Sequence, residues 1–494
     1  MQVTSERGRL ARISTHKGGI MKKFRAAAII TAAMLPTFAS SQTATLPLRP
    51  DQVEFRALYK ELVETNTELS DGNCTLAAAR MAARLKSAGY PDADIHPFQA
   101  DGHPKEGGLV AVLHGSDAKA RPILLLAHID VVEAKREDWK RDPFTLIEEN
   151  GYFYGRGSSD DKAEASVWTD TLIRLRKEGF KPRRDVKMAL TCGEETASAF
   201  NGANYLATHE RKLIDAAFAL NEGAGGRLDA NGKPIALNVE AGEKFPQDYR
   251  LEVTNPGGHS SRPSKDNAIY HLAGALIRIS QYDFPLEFTD ASKTFFTRMA
   301  PIVGGDMGAA MTALVNDPSD AKAAAVVESD PGYNGMLHTT CVATMLDGGH
   351  ATNALPQRAR ANINCRIFPG TTVDQVNATL VQIIGDPKVS VTTLGARSEV
   401  TKAPPPLTPE IMGPIETMAG KIWPGVPIIP VLTAGATDGA FMSPVGIPTY
   451  GVTGMFGDPD GNGVHGLNER IRVNSLYNGR DFLYGLVKLY AMQE

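Results

Sequence analysis

The sequence lacks the features that mark nucleic-acid-binding proteins and disulfide-rich proteins. Lys and Arg are spread along the chain without a long basic run, and the formal net charge is −4. A nucleic-acid-binding groove needs clustered positive charge, so we expect no nucleic-acid partner. The 4 cysteines match neither a zinc ribbon nor a disulfide framework in their spacing. Pairing in an oxidising compartment is the alternative. Because Cys192 and Cys365 lie in strand-like runs, we expect inert core thiols.

The N-terminal region lacks an apolar run long enough to cross a membrane. Its apolar segment, residues 26–38, is shorter than the roughly 20 residues that span a bilayer. Basic residues precede the segment and small residues follow it, which is the order of a secretory signal peptide. A buried helix is the alternative. We therefore interpret residues 1–41 as leader and signal peptide, with Met21 as the expected start, and we expect an exported, periplasmic or secreted protein without a stable membrane span.

The chain is too long for one ordinary hydrophobic core. It has 494 residues, of which 42% are hydrophobic and 22% charged, and this predicts a soluble protein of two or more domains. After helical patterns at residues 51–66 and 75–88, short apolar runs alternate with helix-length segments. The runs are residues 109–113, 123–127, 186–191 and 216–220. This alternation predicts an α/β fold with a mostly parallel sheet sandwiched by helices.

A different pattern begins near residue 245. Strand patterns at residues 249–254, 361–368 and 389–394 alternate with helical patterns at 267–280 and 373–384, and residues 284–337 predict an extra helical insertion. This order predicts a small α+β sandwich inserted in the larger domain. We therefore divide the mature chain into a first part of the larger domain at 50–244, an inserted domain at 245–400 and a second part at 401–494.

Histidine and acidic residues recur where the predicted strands of the larger domain end. His128 ends one apolar run, and Asp130 lies two positions later, where its carboxylate can steady the imidazole. Further motifs carry more such residues, namely Asp160 and Asp161 in GRGSSDDK, Glu194 and Glu195 in ALTCGEE, Glu222 in ALNEGAGG, and His465 in GNGVHGLNER. Each motif alone is typical of a helix cap, a solvated turn or an ordinary loop histidine.

The common position of these residues is more specific than any single motif. Ligands bind beyond the carboxyl ends of the strands in an open parallel sheet, so His128, Glu195 and Glu222 should converge on one edge. Two imidazoles and three carboxylates suit a pair of divalent ions with one bridging acid. So many acids in one place would be unfavourable without cations. The sequence therefore predicts two metal ions at this edge.

The ordered motifs HID, GRGSSDDK, GEE, NEG and VHGLNE resemble those of the co-catalytic zinc peptidases. This family includes aminoacylase-1, carboxypeptidase G, carboxypeptidase S and succinyl-diaminopimelate desuccinylase, and the resemblance runs from about residue 51 to the C-terminus. It implies two Zn²⁺ per chain, with Co²⁺ or Mn²⁺ as alternatives. It implies Glu194 as general base, Asp130 as the acid behind the first histidine, and a cis peptide bond after Asp160. The implied metal ligands are His128 and Glu222 on one ion, Glu195 and His465 on the other, and Asp160 on both.

The resemblance also implies that the inserted domain is a ferredoxin-like lid and dimerisation domain. His259 in NPGGHSSRP would reach the active site of a partner subunit, so we expect a homodimer. Asn353, Arg366 and Thr437 would bind the substrate, with Thr437 in the GATDG loop that cradles the substrate carboxylate. Without the resemblance, His259 is typical of a turn and Arg366 of a surface charge on a strand.

These residues predict a zinc-dependent hydrolase that cleaves a peptide or amide bond next to a free carboxylate, of the carboxypeptidase or dipeptidase type. An N-acyl-amino-acid hydrolase of the aminoacylase type is the alternative, because both substrate classes present an amide beside a carboxylate. A non-catalytic metal-dependent binding protein would use the same cleft, but the base Glu194 is present. A serine or cysteine hydrolase is disfavoured, because the sequence has no G-x-S-x-G motif and Cys192 has no recognisable histidine base.

Overall fold

The computed structural model describes residues 48–196, 200–395 and 403–494, so the predicted leader and signal peptide lies outside the described residues. All the helices and strands described below lie in one compact unit, Arg49–Glu494. Within the described ranges, no helix combines the length and the apolar character needed to cross a membrane. The helices are α1 (Pro50–Val63), α2 (Cys74–Ser87), α3 (Lys162–Lys177), α4 (Gly202–His209), α5 (Arg211–Ile214), α6 (Ala268–Ser280), α7 (Asp290–Val303), α8 (Gly305–Asn316), α9 (Ala321–Glu328), α10 (Pro331–Leu337), α11 (Val373–Ile384), α12 (Pro409–Ile422), α13 (Gly439–Met442) and α14 (Val473–Met492).

The larger sheet has the order β1-β2-β6-β3-β7-β17-β9-β8-β18, with β16 paired to β9. Its strands are β1 (Ile95–Phe98), β2 (Gly108–Leu113), β3 (Ile123–His128), β6 (Val186–Thr191), β7 (Phe218–Asn221), β8 (Gly226–Leu228), β9 (Pro234–Glu243), β16 (Ile428–Thr433), β17 (Thr449–Gly451) and β18 (Phe456–Gly457). The central neighbours β6, β3, β7 and β17 run parallel. The predicted parallel core is therefore confirmed, and antiparallel pairs such as β1–β2 and β2–β6 flank it.

Helices cover both faces of this sheet. On one face, α4 and α13 pack on strand residues such as Leu124, Leu126 and Ala189. On the other face, α3 packs against β3 and β6, and the Trp168 indole N–H donates to the carbonyl of Leu126 at 3.1 Å. Strands covered on both faces are buried at every position, which explains the uninterrupted apolar runs of β2, β3 and β6. A separate three-stranded sheet joins β19 (Arg470–Arg472), β5 (Tyr152–Tyr154) and β4 (Ile147–Glu149).

The smaller sheet is antiparallel, with the order β12-β14-β10-β15. Its strands are β10 (Phe245–Thr254), β12 (Thr340–Gly348), β14 (Arg358–Ile367) and β15 (Ser390–Leu394), and α6 and α11 share a core with β10 and β14. This is the β-α-β-β-α-β arrangement of a ferredoxin-like fold. The sequence did not indicate β12, because that edge strand is mostly exposed and carries little apolar alternation. Beside this sheet, β11 (Gly258–His259) pairs with β13 (Ala354–Leu355).

The predicted helical insertion consists of α7 to α10, and it packs on the larger sheet. Phe295, Phe296 and Met299 of α7 share one apolar cluster with Ile429 and Val431 of β16. The same cluster includes Phe368, which directly follows β14 of the smaller sheet. The insertion therefore contacts residues next to both sheets through one continuous apolar core.

The four cysteines form two disulfides, so the expectation of free core thiols is wrong. Cys341 and Cys365 lie directly opposite each other on β12 and β14 and are joined. The pairing of Cys341 with Cys365 could not be inferred from the sequence, because the strand β12 that carries Cys341 was not predicted. Cys74 and Cys192 are joined across 118 residues, because the start of α2 packs beside the end of β6. Both pairings depend on tertiary contacts that cysteine spacing does not report.

Candidate metal centre

Acidic and imidazole side chains lie where three neighbouring parallel strands end, at one edge of the larger sheet. His128 is the last residue of β3, and Glu222 directly follows β7. Glu195 lies four positions after β6 ends. Because β6, β3 and β7 are adjacent and parallel, their carboxyl ends meet at this edge. The structure thus brings together the strand-end residues that the sequence singled out.

Asp160 presents one carboxylate oxygen to each of two histidines. Its Oδ1 is 3.1 Å from Nε2 of His128, and its Oδ2 is 3.1 Å from Nε2 of His465. On the first side, Glu222 Oε1 is 3.6 Å from His128 Nε2. On the second side, Glu195 Oε2 is 2.9 Å from His465 Nε2. The five predicted ligands therefore form two sets that share Asp160.

The donor set fits divalent cations. Ligand atoms of His128, Asp160 and Glu195 lie within 4.8 Å of one another, and so do those of His128, Asp161 and Glu222. In the described part of the chain, the ion pairs of Asp160, Glu195 and Glu222 are all with histidine. Carboxylates gathered without Lys or Arg need another source of positive charge, and imidazole with carboxylate is a common ligand set for zinc. The peptide bond between Asp160 and Asp161 is cis.

Asp130 holds the segment that carries Glu194 and Glu195. Its Oδ1 accepts the Glu194 N–H at 3.3 Å, and its Oδ2 accepts the Glu195 N–H at 3.1 Å. The same Oδ1 is 3.5 Å from Nδ1 of His128. Asp130 therefore orients a ring nitrogen on one side and two backbone amides on the other, which is how an acid behind a metal ligand fixes a site.

The cluster shifts the proton affinities of its own groups. Removal from water raises the pKa of Glu194 to about 9, with His128 opposing the rise and Glu222 adding to it. Removal from water likewise raises the pKa of Glu222 to about 7. Hydrogen bonds to Asp160 and Glu195 raise the pKa of His465 to about 10. A cation bound among these groups would stabilise the charged forms of Glu194 and Glu222 and so oppose the effect of their removal from water.

Glu469 is a buried part of the site that the sequence reasoning missed. Its carboxylate is inaccessible to solvent and pairs with Arg156 at 2.8 Å. It also accepts the N–H groups of Gly157 at 3.0 Å, Ser159 at 2.8 Å and Asp160 at 3.0 Å. Glu469 therefore holds the turn that presents Asp160. Its only signal in the sequence was its place in the VHGLNE motif, four residues after His465.

Thr437 lies next to the centre, but its hydrogen-bonding groups have protein partners. Its backbone N–H and its hydroxyl both donate to Glu243 Oε2, at 2.8 and 3.1 Å. Its hydroxyl oxygen accepts the Asn221 side-chain N–H at 3.0 Å, and Asn221 directly precedes Glu222. The neighbouring Asp438 is buried and accepts hydrogen bonds from Thr191 and Asn201 at 2.6 and 2.8 Å. The sequence reasoning did not identify Glu243 or Asp438.

The three remaining predicted residues lie with the smaller sheet or the ribbon beside it. His259 is exposed on β11, where Nδ1 is 2.7 Å from the Ser261 hydroxyl oxygen. Asn353 is exposed next to β13, and Arg366 lies on β14 opposite Thr340. Among the described residues, no hydrogen bond or ion pair joins these three side chains to the five ligand residues. The three side chains therefore have no polar link to the five ligand residues within the described part of one chain.

A solved structure shares this arrangement of strands and helices. The M20 family metallo-carboxypeptidase Sso-CP2 from Sulfolobus solfataricus is 20% identical, with a TM-score of 0.66, and the match covers 90% of this chain and 100% of that chain. The likeness shows a common fold. In this common fold, the imidazole–carboxylate cluster described above lies at the ends of the parallel strands.

The sequence comparisons give the family. The sequence model of peptidase family M20/M25/M40 matches residues 124–489. The N-fatty-acyl-amino acid synthase/hydrolase PM20D1 of Homo sapiens is 30% identical over 385 residues, covering 76% of this chain and 75% of that protein. Carboxypeptidase S of Saccharomyces cerevisiae is 29% identical over 285 residues, covering 55% of this chain and 49% of that protein. The chain belongs to peptidase family M20/M25/M40, and it is a metal-dependent hydrolase of peptide or amide bonds.

Proposed function

We propose that the protein hydrolyses the amide bond next to a free carboxylate in small peptides, as a carboxypeptidase or dipeptidase with two zinc ions. The observation that carries the proposal is Asp160, whose two oxygens each lie 3.1 Å from a different histidine. A carboxylate that faces two imidazole-containing ligand sets suits a bridge between two ions. His128 and Glu222 hold one ion, and Glu195 and His465 hold the other.

Glu194 is the general base in this proposal. Asp130 accepts the Glu194 backbone N–H, and the Glu194 carboxylate interacts electrostatically with His128 and Glu222 of the centre. Glu194 accepts a proton from the attacking water and delivers it to the departing amine. The bound ions supply electrophilic activation of water and of the scissile carbonyl.

Substrate binding requires residues from a second subunit in this proposal. His259, Asn353 and Arg366 belong to the proposed lid domain, residues 245–400, and among the described residues none of their side chains has a hydrogen bond or ion pair with the five ligand residues of its own chain. The edge strand β12 offers unpaired backbone groups, and its side chains Met345 and Leu346 are each 71% exposed. Exposed apolar side chains on an unpaired edge favour pairing with another copy of the chain, so we propose a symmetric homodimer.

A further step of the proposal is that Thr437, which would bind the substrate carboxylate, is released from Glu243. The Thr437 amide and hydroxyl that would bind a substrate carboxylate donate to Glu243. We propose that the substrate carboxylate competes with Glu243 for these donors, while Arg366 supplies the opposite charge.

Export is proposed on the N-terminal sequence and on the two disulfides. Disulfides persist in oxidising compartments and are rare in the cytosol, and both pairs here join residues that are distant or on different strands. This supports the proposed removal of residues 1–41 and a periplasmic or secreted location.

An N-acyl-amino-acid hydrolase is the second candidate. It is favoured by the relative PM20D1, which is named an N-fatty-acyl-amino acid synthase/hydrolase and matches 76% of this chain. Both candidates share the ligands and the base, and they differ in the group on the amine side of the scissile bond.

A paired substrate panel tests the proposal. Purified protein is assayed against dipeptides and N-acyl amino acids, each with a free and with an amidated C-terminus. We expect hydrolysis only of the free acids, and we expect Glu194→Gln to abolish it in the same preparation. Equal hydrolysis of free and amidated substrates would contradict the carboxylate requirement. Preference for acyl amino acids over dipeptides would favour the second candidate.

A further inference from the structure

The disulfide between Cys74 and Cys192 joins α2 to the segment that leads into the metal centre. Cys192 directly follows β6 and comes two residues before Glu194 and three before Glu195. Cys74 is the first residue of α2, whose start is fixed by the Asn73 side chain accepting the Leu76 N–H at 2.9 Å. Both cysteines are buried, with 2% and 4% exposure. The bond therefore ties this segment to a rigid helix end.

Beyond the disulfide, hydrogen bonds also hold the described part of this segment. The Gly202 N–H donates to the Cys192 carbonyl at 2.7 Å, and the Asn201 side-chain N–H donates to the Gly193 carbonyl at 3.2 Å. The amides of Glu194 and Glu195 both donate to the one carboxylate of Asp130. Gly193 between them and the disulfide has φ +95°, and a Cβ there would lie 1.8 Å from the Phe200 carbonyl oxygen. The backbone must therefore turn tightly between the disulfide and the two glutamates.

The segment also borders an open space. A cavity of about 50 Å³ is lined by Cys74, Cys192, Gly193 and Asp130, among others. The disulfide and the Asp130 carboxylate thus flank the same cavity. Without the covalent link, the segment has room to relax toward this cavity, and hydrogen bonds such as those to Asp130 and from Asn201 would have to hold it.

We infer that the Cys74–Cys192 disulfide is a positioning element of the metal centre. It keeps the backbone amides of Glu194 and Glu195 within hydrogen-bonding distance of the Asp130 carboxylate. This inference rests on the proposed roles of Glu194 as base and Glu195 as ligand. A group that orients a metal ligand typically changes metal affinity or activity by about 10- to 100-fold when it is removed. The bond acts through Glu194 and Glu195 and does not itself touch the substrate.

The second disulfide provides a matched control. Cys341 and Cys365 join neighbouring strands of the smaller sheet, and those strands carry none of the five proposed ligands. The test therefore compares Cys74→Ala/Cys192→Ala with Cys341→Ala/Cys365→Ala in the full mature chain. Each variant loses one disulfide, with both of its cysteines replaced by Ala, so general effects of cysteine removal are shared.

Zinc affinity is measured by competition with a chromophoric chelator, and kcat and KM are measured separately on one substrate of the panel. We expect Cys74→Ala/Cys192→Ala to bind zinc at least about tenfold more weakly and to lose kcat by a similar factor, with KM little changed. We expect Cys341→Ala/Cys365→Ala to match the unmodified protein in zinc affinity. The control is limited to zinc affinity, because Cys341 lies on the proposed dimer edge β12 and Cys365 is next to Arg366. Circular dichroism establishes that both variants are folded.

If Cys74→Ala/Cys192→Ala does not fold, the remaining disulfide of Cys341→Ala/Cys365→Ala is reduced after folding. A phosphine reductant is oxidised to its oxide with water as oxygen donor, and two thiols form, which mass spectrometry verifies. The same zinc competition then applies. Unmodified protein that neither binds zinc nor hydrolyses the panel would overturn the proposed function. Zinc affinity and kcat that survive loss of the Cys74–Cys192 bond would overturn only the positioning role.

Discussion

Substitution of Glu469 by Gln tests how the turn that presents Asp160 is held. The carboxylate of Glu469 is fully buried and accepts four hydrogen bonds, one from Arg156 at 2.8 Å and three from backbone amides. Gln has nearly the same shape but offers only one acceptor oxygen and an NH₂ group in place of the other. The change therefore places the Gln NH₂ group, a hydrogen-bond donor, next to N–H groups that are donors as well. It also leaves the Arg156 guanidinium without its counter-charge.

The expected loss follows from the burial of the pair. Breaking a buried ion pair by removing one partner costs about 3–5 kcal/mol, because the remaining charge is neither solvated nor paired. We therefore expect Glu469→Gln to lower the free energy of unfolding by about 3–5 kcal/mol. We also expect zinc affinity to fall by about 10- to 100-fold, since the Asp160 backbone loses an acceptor that orients it.

Urea unfolding followed by circular dichroism measures the change in free energy, provided that the slope against urea is the same in all variants. Glu149→Gln is the matched control, because Glu149 is 46% exposed and pairs with Arg141 at the surface. Exposed pairs contribute about 0–1 kcal/mol, so this variant should stay close to the unmodified protein. A second variant, Arg156→Met/Glu469→Gln, should be less destabilised than the sum of its single changes.

The reasoning is refuted if Glu469→Gln unfolds within about 1 kcal/mol of Glu149→Gln, the range of an exposed pair. Unchanged zinc affinity in a clearly destabilised Glu469→Gln would refute only the link from Glu469 to Asp160.

Four further outcomes follow from the site. Dialysed active protein should contain about two divalent ions per chain, and chelation should remove activity that zinc restores; metal-free active protein would rule this out. Glu194→Gln should keep its metal while losing roughly a thousandfold or more in kcat, whereas Glu195→Gln should bind metal more weakly; equal metal content in the two would show that this assignment of roles is wrong. Inactive His259→Ala and Glu194→Gln chains should regain activity after subunit exchange, and an exchanged but inactive mixture would place His259 in its own chain's site. N-terminal sequencing of the native protein should begin near Gln42, and retention of residues 1–20 would contradict export.

Some elements were readable from local pattern alone. The strand at residues 186–191 and the helix at residues 373–384 were predicted with the bounds that the structure has. The first is an uninterrupted apolar run, as expected for a strand covered on both faces, and the second has the apolar period of an amphipathic helix. The strands β9 and β12 were missed. β12 is an exposed edge strand, and β9 mixes buried and partly buried positions without a clear period.

The chemical character of the candidate site could be predicted from the amino-acid sequence. A histidine and two acids placed at or within four residues of the ends of apolar runs are expected to meet at one edge once those runs form parallel neighbours, because parallel strands end on the same side. For this reason His128, Glu195 and Glu222 could be grouped without coordinates. The identity of these side chains, imidazole and carboxylate, then indicated divalent metal ions.

The orientation of these imidazole and carboxylate groups, and the contacts that hold them in place, depend on the tertiary structure. The two oxygens of Asp160 face His128 and His465, which are separated by 337 residues in the chain (465 − 128). The Cys74–Cys192 bond, the Glu243–Thr437 contact and the Arg156–Glu469 pair likewise join segments that are far apart in sequence. Such contacts depend on how helices and loops pack around the sheet, and local periodicity carries no information about that packing.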